Sequence, residues 1–193
     1  TSDYIERIAK VRDAMTAQLV DAALLSVGHD LPYLSGYEAM PLERLTMLVV
    51  PRSGQVSMVV PRLEVPRVVA QPEVFSIVPW NETDNPIAIV AKLLGNAKRI
   101  AVGDQMWARF LVDLMPLLPN TQYRRSVDVI GSLRMRKDSA EIEALRAAGS
   151  AVDIIAGDLQ AGRIALVGRT EAQVSADLSA RIIAQGHDVV NFA

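Results

Sequence analysis

The hydrophobic pattern at the start of the chain predicts one helix followed by three strands. Between residues 4 and 19, apolar side chains recur every three or four positions, which is the period of an amphipathic helix. A short apolar run at 22–27 is typical of a buried strand. Two runs rich in β-branched residues, 45–50 and 56–60, flank a Pro-Arg-Ser-Gly-Gln loop in which Gly54 can take a positive φ. We expect these two runs to form a hairpin.

After the hairpin, short apolar runs alternate with helical stretches. Pro66 interrupts a weak helical pattern at 63–70. Asn85 followed by Pro86 is a strong helix start, because Asn caps the first turn and Pro suits the first helical position. The other predicted elements are strands at 75–78, 100–102 and 123–126 and helices at 86–95 and 107–115. This order indicates an α/β domain with a mixed sheet and helices on both faces, ending near Ser132.

The last third of the chain predicts two further helices. Asp138 with Glu141 three residues later marks a helix start, and apolar residues then step by three or four through 138–159. Thr170 and Gln173 form a capping box, in which each side chain satisfies a free backbone N–H of the first turn. A second amphipathic helix follows this box.

We expect a domain boundary just before these helices. The first domain is predicted at 1–132, and the start of a second, incomplete domain at 133–193, with a strand beginning at 187–193. Five basic residues lie near the junction: Arg124, Arg125, Arg134, Arg136 and Lys137. One interpretation is a solvated junction whose charges pair across the two domains. The other is a contact with a second subunit or with a substrate carboxylate.

Composition excludes several classes of protein. Half of the 193 residues are hydrophobic, which is enough for a packed core, and the formal net charge is −2. A near-neutral chain does not favour nucleic acid or an anionic membrane as a partner. No uncharged apolar run approaches the ~20 residues that span a bilayer. The chain has no cysteine, which excludes disulfides, thiolate zinc sites and a cysteine nucleophile, and which fits a cytoplasmic protein.

The chain shows no self-sufficient catalytic constellation. Its two histidines, His29 and His187, each lie in a Gly-His-Asp tripeptide, and we interpret the recurrence as chance. A metal site needs several ligands that converge on one point, and no such cluster is readable here. No serine has a recognisable paired base that would make it a nucleophile.

Three segments nevertheless resemble the creatinase/prolidase/aminopeptidase P family. Pro-Tyr-Leu-Ser-Gly-Tyr at 32–37 is similar to the family's Tyr-Leu-Thr/Ser-Gly-aromatic segment. The junction at 133–142, Leu-Arg-Met-Arg-Lys-Asp-Ser-Ala-Glu-Ile, resembles its Leu-Arg-x-x-Lys-x-x-x-Glu-Ile motif. Gly-Arg-Thr-Glu-Ala-Gln-Val at 168–174, with Gly186, resembles its Gly-x-Thr-Glu-x-x-Val helix and the closing glycine. The three segments occur in the family's order.

The resemblance implies a fold for each of the two domains and places the catalytic residues in the second. The first domain would be the family's N-terminal domain, an α/β fold of ribonuclease-H-like character, and the following helices would open the pita-bread catalytic domain. The complete protein would hold two divalent metal ions, Mn or Co, between two Asp, one His and two Glu. All five positions lie beyond residue 193, so the resemblance assigns no catalytic residue and no metal ligand to this chain.

The resemblance also implies substrates and partners. The complete protein would hydrolyse short proline-containing peptides at X-Pro bonds, and its N-terminal domain would assemble a homodimer and narrow access to the site. The candidates for substrate access or subunit contact are Tyr33, Tyr37 and Trp80. We expect the 193-residue chain alone to be inactive. Two alternatives stay open: a creatinase-like amidinohydrolase, and a non-catalytic peptide- or protein-binding module on the same scaffold.

Overall fold

The computed structural model describes residues 2–188, which fall into two compact units. The first unit comprises Thr1–Arg136 and the second Lys137–Ala193. The domain boundary near Ser132 stays a prediction. Residues 189–193 of the predicted final strand lie outside the described residues.

The first unit is built on a six-stranded mixed sheet. Its strands in chain order are β1 Ala22–Leu25, β2 Met47–Pro51, β3 Ser57–Pro61, β4 Ser76–Trp80, β5 Arg99–Val102 and β6 Gln122–Arg125. Their order across the sheet is β4-β3-β2-β1-β5-β6. Strand β2 is antiparallel to β1 and β3, whereas the pairs β3–β4, β1–β5 and β5–β6 are parallel. The predicted hairpin and the predicted mixed sheet are both confirmed.

Helices cover both faces of this sheet, as predicted. The helices of the first unit are α1 Ser2–Ala17, α2 Asp30–Ser35, α3 Pro86–Leu94, α4 Ala108–Leu114 and α5 Ser132–Met135. Short 3₁₀ turns lie at Val65–Arg67 and Met115–Leu117, and a π-helical turn lies at Val127–Gly131.

Alternation along the strands divides the interior into two hydrophobic cores. Ala23 and Leu25 of β1 contribute to the core beneath α1 and α2, which we call core A. Ala22 and Leu24 contribute to the core beneath α3 and α4, which we call core B. Successive side chains of a strand point to opposite faces, so one short strand serves both cores.

One local prediction is wrong, and one helix lies where none is predicted. The helix expected at 63–70 is only the turn Val65–Arg67, because Pro66 has no N–H to donate within a longer helix. The segment Asp30–Ser35, for which no helix is predicted, is helix α2. Leu31 and Leu34 lie three positions apart, and both are fully buried in core A, so tertiary burial stabilises a turn with little helical signal of its own.

The second unit contains the two predicted helices, α6 Ser139–Gln160 and α7 Glu171–Ala184. The predicted capping pairs are both present: Asp138 with Glu141, and Thr170 with Gln173. Much of the predicted apolar face of α6 is exposed, however. In that helix only Ile155 is buried, while Ile142, Leu145 and Val152 are exposed.

Asp21 joins β1 to β5 at the amino end of the sheet. Its Oδ2 accepts hydrogen bonds from the backbone N–H of Lys98 at 2.8 Å and of Arg99 at 3.0 Å. Nη2 of Arg52 lies 3.1 Å from its Oδ1. Partial burial opposes ionisation, but the two backbone donors and Arg52 outweigh it and lower the pKa of Asp21 below its ordinary value.

We predict that Asp21→Asn lowers the free energy of unfolding by about 1–2 kcal/mol at pH 7, because charge-assisted hydrogen bonds are lost. The folded pKa lies below the unfolded one, so this stabilisation is present above the unfolded pKa of about 3.9 and is lost as pH falls through the folded value. The difference in unfolding free energy between wild type and variant should therefore become small in acid. Urea denaturation at a series of pH values measures it.

Asp13→Asn is the matched control, because Asp13 is an exposed acid on α1. It should leave the unfolding free energy nearly unchanged. A gap between wild type and Asp21→Asn that persists unchanged well below pH 4 would contradict the role assigned to this carboxylate.

Candidate functional site

A crevice opens where the carboxyl ends of β1, β5 and β6 meet. These strands are mutually parallel, so their carboxyl ends share one edge of the sheet. After β1 the chain continues into α2, which packs on core A, whereas after β5 it continues into α4, which packs on core B. The point between two strands whose connections leave to opposite faces is where ligands bind in open α/β sheets. A pocket of about 200 Å³ lies there.

Gly28 shapes one wall of this pocket. Its φ is +115°, and a Cβ built on it would lie 2.3 Å from Oε1 of Gln105. A larger residue would need both a strained backbone and a displaced Gln105 side chain. The requirement for glycine here is therefore conformational and steric at once.

Three polar side chains from distant parts of the chain converge in the pocket. Ser126 Oγ donates to Asp30 Oδ2 at 2.7 Å, and Arg134 Nη1 donates to Asp30 Oδ1 at 2.9 Å. The side chain of Asp30 is 17% exposed and that of Arg134 is 39% exposed. The Asp30 carboxylate thus joins the end of β6 and helix α5 to the start of α2, and we call this group the Asp30 cluster.

The Asp30 cluster does not form a catalytic triad. The Ser126 hydroxyl donates its hydrogen bond directly to the Asp30 carboxylate, and no imidazole lies between them to act as a general base. His29 lines the same pocket, whereas His187 belongs to the second unit. The cluster is suited to fixing backbone segments in place.

Two of the five basic residues near the junction form ion pairs inside the first unit. Arg134 pairs with Asp30, and Arg125 binds Asp104 with both Nε and Nη2. The hydrogen bonds from Arg125 lower the pKa of the Asp104 carboxyl below its ordinary value. Pairing of the basic residues across the two domains stays a prediction.

Tyr33 lies on α2 and is half-buried. The guanidinium carbon of Arg7 lies 4.3 Å from the centre of its ring, which is cation–π distance. Nη1 of the same arginine donates to the carbonyl oxygen of Tyr33 at 3.1 Å. Arg7 therefore holds both the ring and the backbone of this residue.

Tyr37 follows the glycine that ends α2. Gly36 has a φ of +69°, and a Cβ there would lie 2.6 Å from the hydroxyl of Tyr4, so only glycine fits. Tyr37 itself is 7% exposed, and its hydroxyl lies 3.5 Å from Oε2 of Glu64. Burial, followed by the charge of Glu64, raises the pKa of the Tyr37 phenol.

Trp80 ends β4 on the other side of the sheet. It is 6% exposed in core B, and its Nε1 donates to the carbonyl oxygen of Leu45 at 2.9 Å. Tyr33 and Tyr37 pack on core A. The structure therefore does not bring the three aromatic candidates together. Their assignment to substrate access or subunit contact stays a prediction.

The described residues offer no cluster of metal ligands. Within residues 2–188, no group of three or more His, Asp or Glu side chains could hold a metal ion. In that same span, no helix combines the length and apolar character needed to cross a bilayer. The described residues thus do not fit a dinuclear metal centre.

Sequence reasoning did not find the Asp30 cluster. In the sequence, Asp30 stands out only as part of a Gly-His-Asp tripeptide, and Arg134 only as one member of a basic run. The available signal was topological: two predicted parallel strands with connections to opposite faces would have placed a site after β1. Nothing in the local sequence indicates that Ser126 faces this point.

The sequence is similar to known peptidase sequences. The Creatinase/Prolidase N-terminal domain model matches residues 7–136. The probable dipeptidase PepE of Mycobacterium tuberculosis is 36% identical over 196 aligned positions, which cover 98% of this chain and 51% of the relative. The same protein of Mycobacterium bovis matches equally well. The chain spans about half the length of the curated relatives it matches.

Solved structures show the same likeness. The dipeptidase PepE of Mycobacterium ulcerans superposes with a TM-score of 0.88 at 36% identity, over 99% of this chain and 52% of that one. A prolidase from Thermococcus sibiricus superposes with a TM-score of 0.85 at 25% identity, over 100% of this chain and 53% of that one.

We predict that Asp30→Ala lowers the free energy of unfolding by about 2 kcal/mol, because it removes the carboxylate that accepts from Arg134 and from the buried Ser126 hydroxyl. Arg134→Ala alone should cost less. A double-mutant cycle between the two positions should give a coupling energy of about 1–2 kcal/mol by urea denaturation.

Glu143 and Arg146 are the control pair, because they form an ion pair on α6 with both side chains about 70% exposed. Their cycle should give less than about 0.5 kcal/mol. Equal coupling energies at the two pairs would show that the Asp30 cluster is no more than a surface contact.

Proposed function

The chain belongs to the creatinase/prolidase N-terminal domain family, and on that premise we propose that it supplies the N-terminal domain and the opening helices of an Xaa-Pro dipeptidase. The complete protein would hydrolyse short peptides at X-Pro bonds. One observation carries the proposal: the similarity to dipeptidase PepE extends over 98% of the chain and thus includes the second unit, although the family model ends at residue 136. Shared identity across both units supports a shared complete architecture.

The chemistry is proposed to belong to residues outside the described span. A dinuclear centre of Mn or Co is part of the proposal for the complete protein only, because residues 2–188 hold no group that fits one. The exposed apolar residues of α6 support this division, since such a face is normally covered by further protein. We assign no reaction step to any residue of this chain.

The first unit would narrow the approach to the active site. Among the three aromatic candidates, Tyr33 is the best suited to touch a substrate or a neighbouring subunit, because it is only half-buried while Tyr37 and Trp80 are almost fully buried. Arg7 restricts the Tyr33 ring, so contact would cost little additional side-chain entropy.

We further propose a homodimer and a cytoplasmic location. The lack of cysteine supports the location, because a chain without disulfides gains nothing from an oxidising compartment. Between the peptidase and the creatinase-like alternative, the relatives' names favour the peptidase: they are called dipeptidase and prolidase.

We predict that the purified 193-residue chain does not hydrolyse an X-Pro dipeptide, with or without added Mn or Co. A protein of the relatives' full length that begins with these residues should do so in the presence of metal, and should not hydrolyse creatine. A colorimetric assay for released proline measures the first activity, and urea release measures the second. Turnover of the dipeptide by the 193-residue chain, or of creatine by the longer protein, would overturn the proposal.

We predict that Tyr33→Ala in the longer protein lowers kcat/KM for an X-Pro dipeptide about tenfold, equivalent to ~1.4 kcal/mol of lost transition-state stabilisation. Tyr33→Phe should retain activity, because the ring makes the contact. Leu63→Ala is the control, since Leu63 is a strongly exposed apolar residue of the same unit. If Tyr33→Ala and Leu63→Ala behave alike, Tyr33 has no part in substrate access.

A further inference from the structure

Helix α4 is apolar on its outer surface as well as on its inner one. Phe110 and Leu114 point inward and are buried in core B. Ala108, Val112 and Met115 recur at four- and three-residue spacing on the opposite side, and all three are exposed. Val112 is 62% exposed. A surface helix normally carries polar residues there, so this stripe is typical of a face that binds another protein.

Large apolar side chains extend the stripe at both ends. Trp107 precedes α4, is exposed, and stacks on Phe110 with ring centres 6.3 Å apart. Leu117, in the 3₁₀ turn after α4, is also exposed. We call the surface formed by Trp107, Ala108, Val112, Met115 and Leu117 the α4 face. Aromatic residues and methionine are enriched in protein interfaces.

An open groove borders the α4 face on the side of strand β6. It has a volume of about 520 Å³, and its apolar lining includes Met106, Leu111 and Tyr123. The hydroxyl of Tyr123 is buried and meets no hydrogen-bond partner in the part of the chain that the structure describes. A second protein surface against this groove would fill it and bury its apolar lining.

The charges on α4 decide which partner fits. Arg109 and Asp113 lie four residues apart along one flank of the stripe, and both are exposed. Among the described residues neither side chain forms an ion pair. When two identical helices pack antiparallel about a twofold axis, the same flank of each faces its counterpart. Arg109 of one copy then meets Asp113 of the other, and the reverse contact forms at the same time.

We propose that the α4 face is the homodimer interface of this protein, with α4 packed antiparallel on α4 of a second copy. The flank that carries Arg109 and Asp113 is complementary to itself across a twofold axis, so a second copy supplies both opposite charges at the required places. The inference rests on the homodimer in the proposed function and names its surface. It does not depend on peptidase activity.

Analytical ultracentrifugation of the 193-residue chain over a range of concentrations tests the proposal. Wild type should show a reversible monomer–dimer equilibrium. Val112→Glu should raise the dimer Kd about 100-fold, because it places a charge at the centre of the desolvated stripe. Val69→Glu is the matched control: Val69 is equally apolar and strongly exposed, but lies outside the α4 face, and its substitution should leave Kd unchanged.

Charge reversal tests the antiparallel geometry. Arg109→Asp and Asp113→Arg should each raise Kd about tenfold, because each creates two like-charge contacts across the twofold axis. The double variant Arg109→Asp/Asp113→Arg restores opposite charges and should return Kd to within about threefold of wild type. Circular dichroism should show the same helix content in every variant.

Three outcomes would overturn the proposal: a monomer at every concentration, a dimer insensitive to Val112→Glu, or a double variant no better than the single ones. A dimer that survives the α4 variants but dissociates with Tyr33→Ala would place the interface on the Tyr33 side of the sheet. Because association is measured on the isolated chain, failure here is distinct from failure of the proposed peptidase activity.

Discussion

Strand β1 has to fill two hydrophobic cores with four side chains while it pairs with neighbours that run in opposite directions. Its antiparallel neighbour is β2 and its parallel neighbour is β5. All four residues, Ala22–Leu25, are buried, with one alanine and one leucine on each face. A polar group in this strand would be buried without water, at a cost of several kcal/mol. The helices of the first unit pack around this strand.

The two ends of β1 are fixed by carboxylates that act on remote segments. Asp21 at the amino end accepts hydrogen bonds from the backbone that opens β5. Asp30, just beyond the carboxyl end, holds Ser126 and Arg134. Each acid is mostly shielded from solvent, and each is satisfied by several donors, which is the condition under which a shielded charge is tolerated. The carboxyl-end contact reaches helix α5 and so stabilises the last segment of the first unit.

Elements with strong local signals could be predicted from the sequence. Asn85 caps α3 through its side chain, which accepts from the N–H of Ala88 at 3.1 Å, and the pairs at Asp138 and Thr170 form their capping boxes. Helix α2 could not be predicted, because its stability comes from Leu31 and Leu34 in the core. The Asp30 cluster could not be predicted from the sequence for a related reason. Ser126 and Arg134 lie 96 and 104 residues after Asp30 in the sequence, and only the pairing of parallel strands brings them to it.

The parallel neighbour of β1 also bears on how the protein is made. Asp21 and Lys98, which begin the β1–β5 pairing, lie 77 positions apart, with the β2–β3 hairpin, β4 and α3 between them. A ribosome adds roughly 5–20 residues per second, so β1 is synthesised roughly 4–15 seconds before β5, its parallel neighbour. Throughout that interval, the nascent sheet has an open hydrophobic edge. A chaperone bound to the nascent chain would protect the protein most during this stage of synthesis.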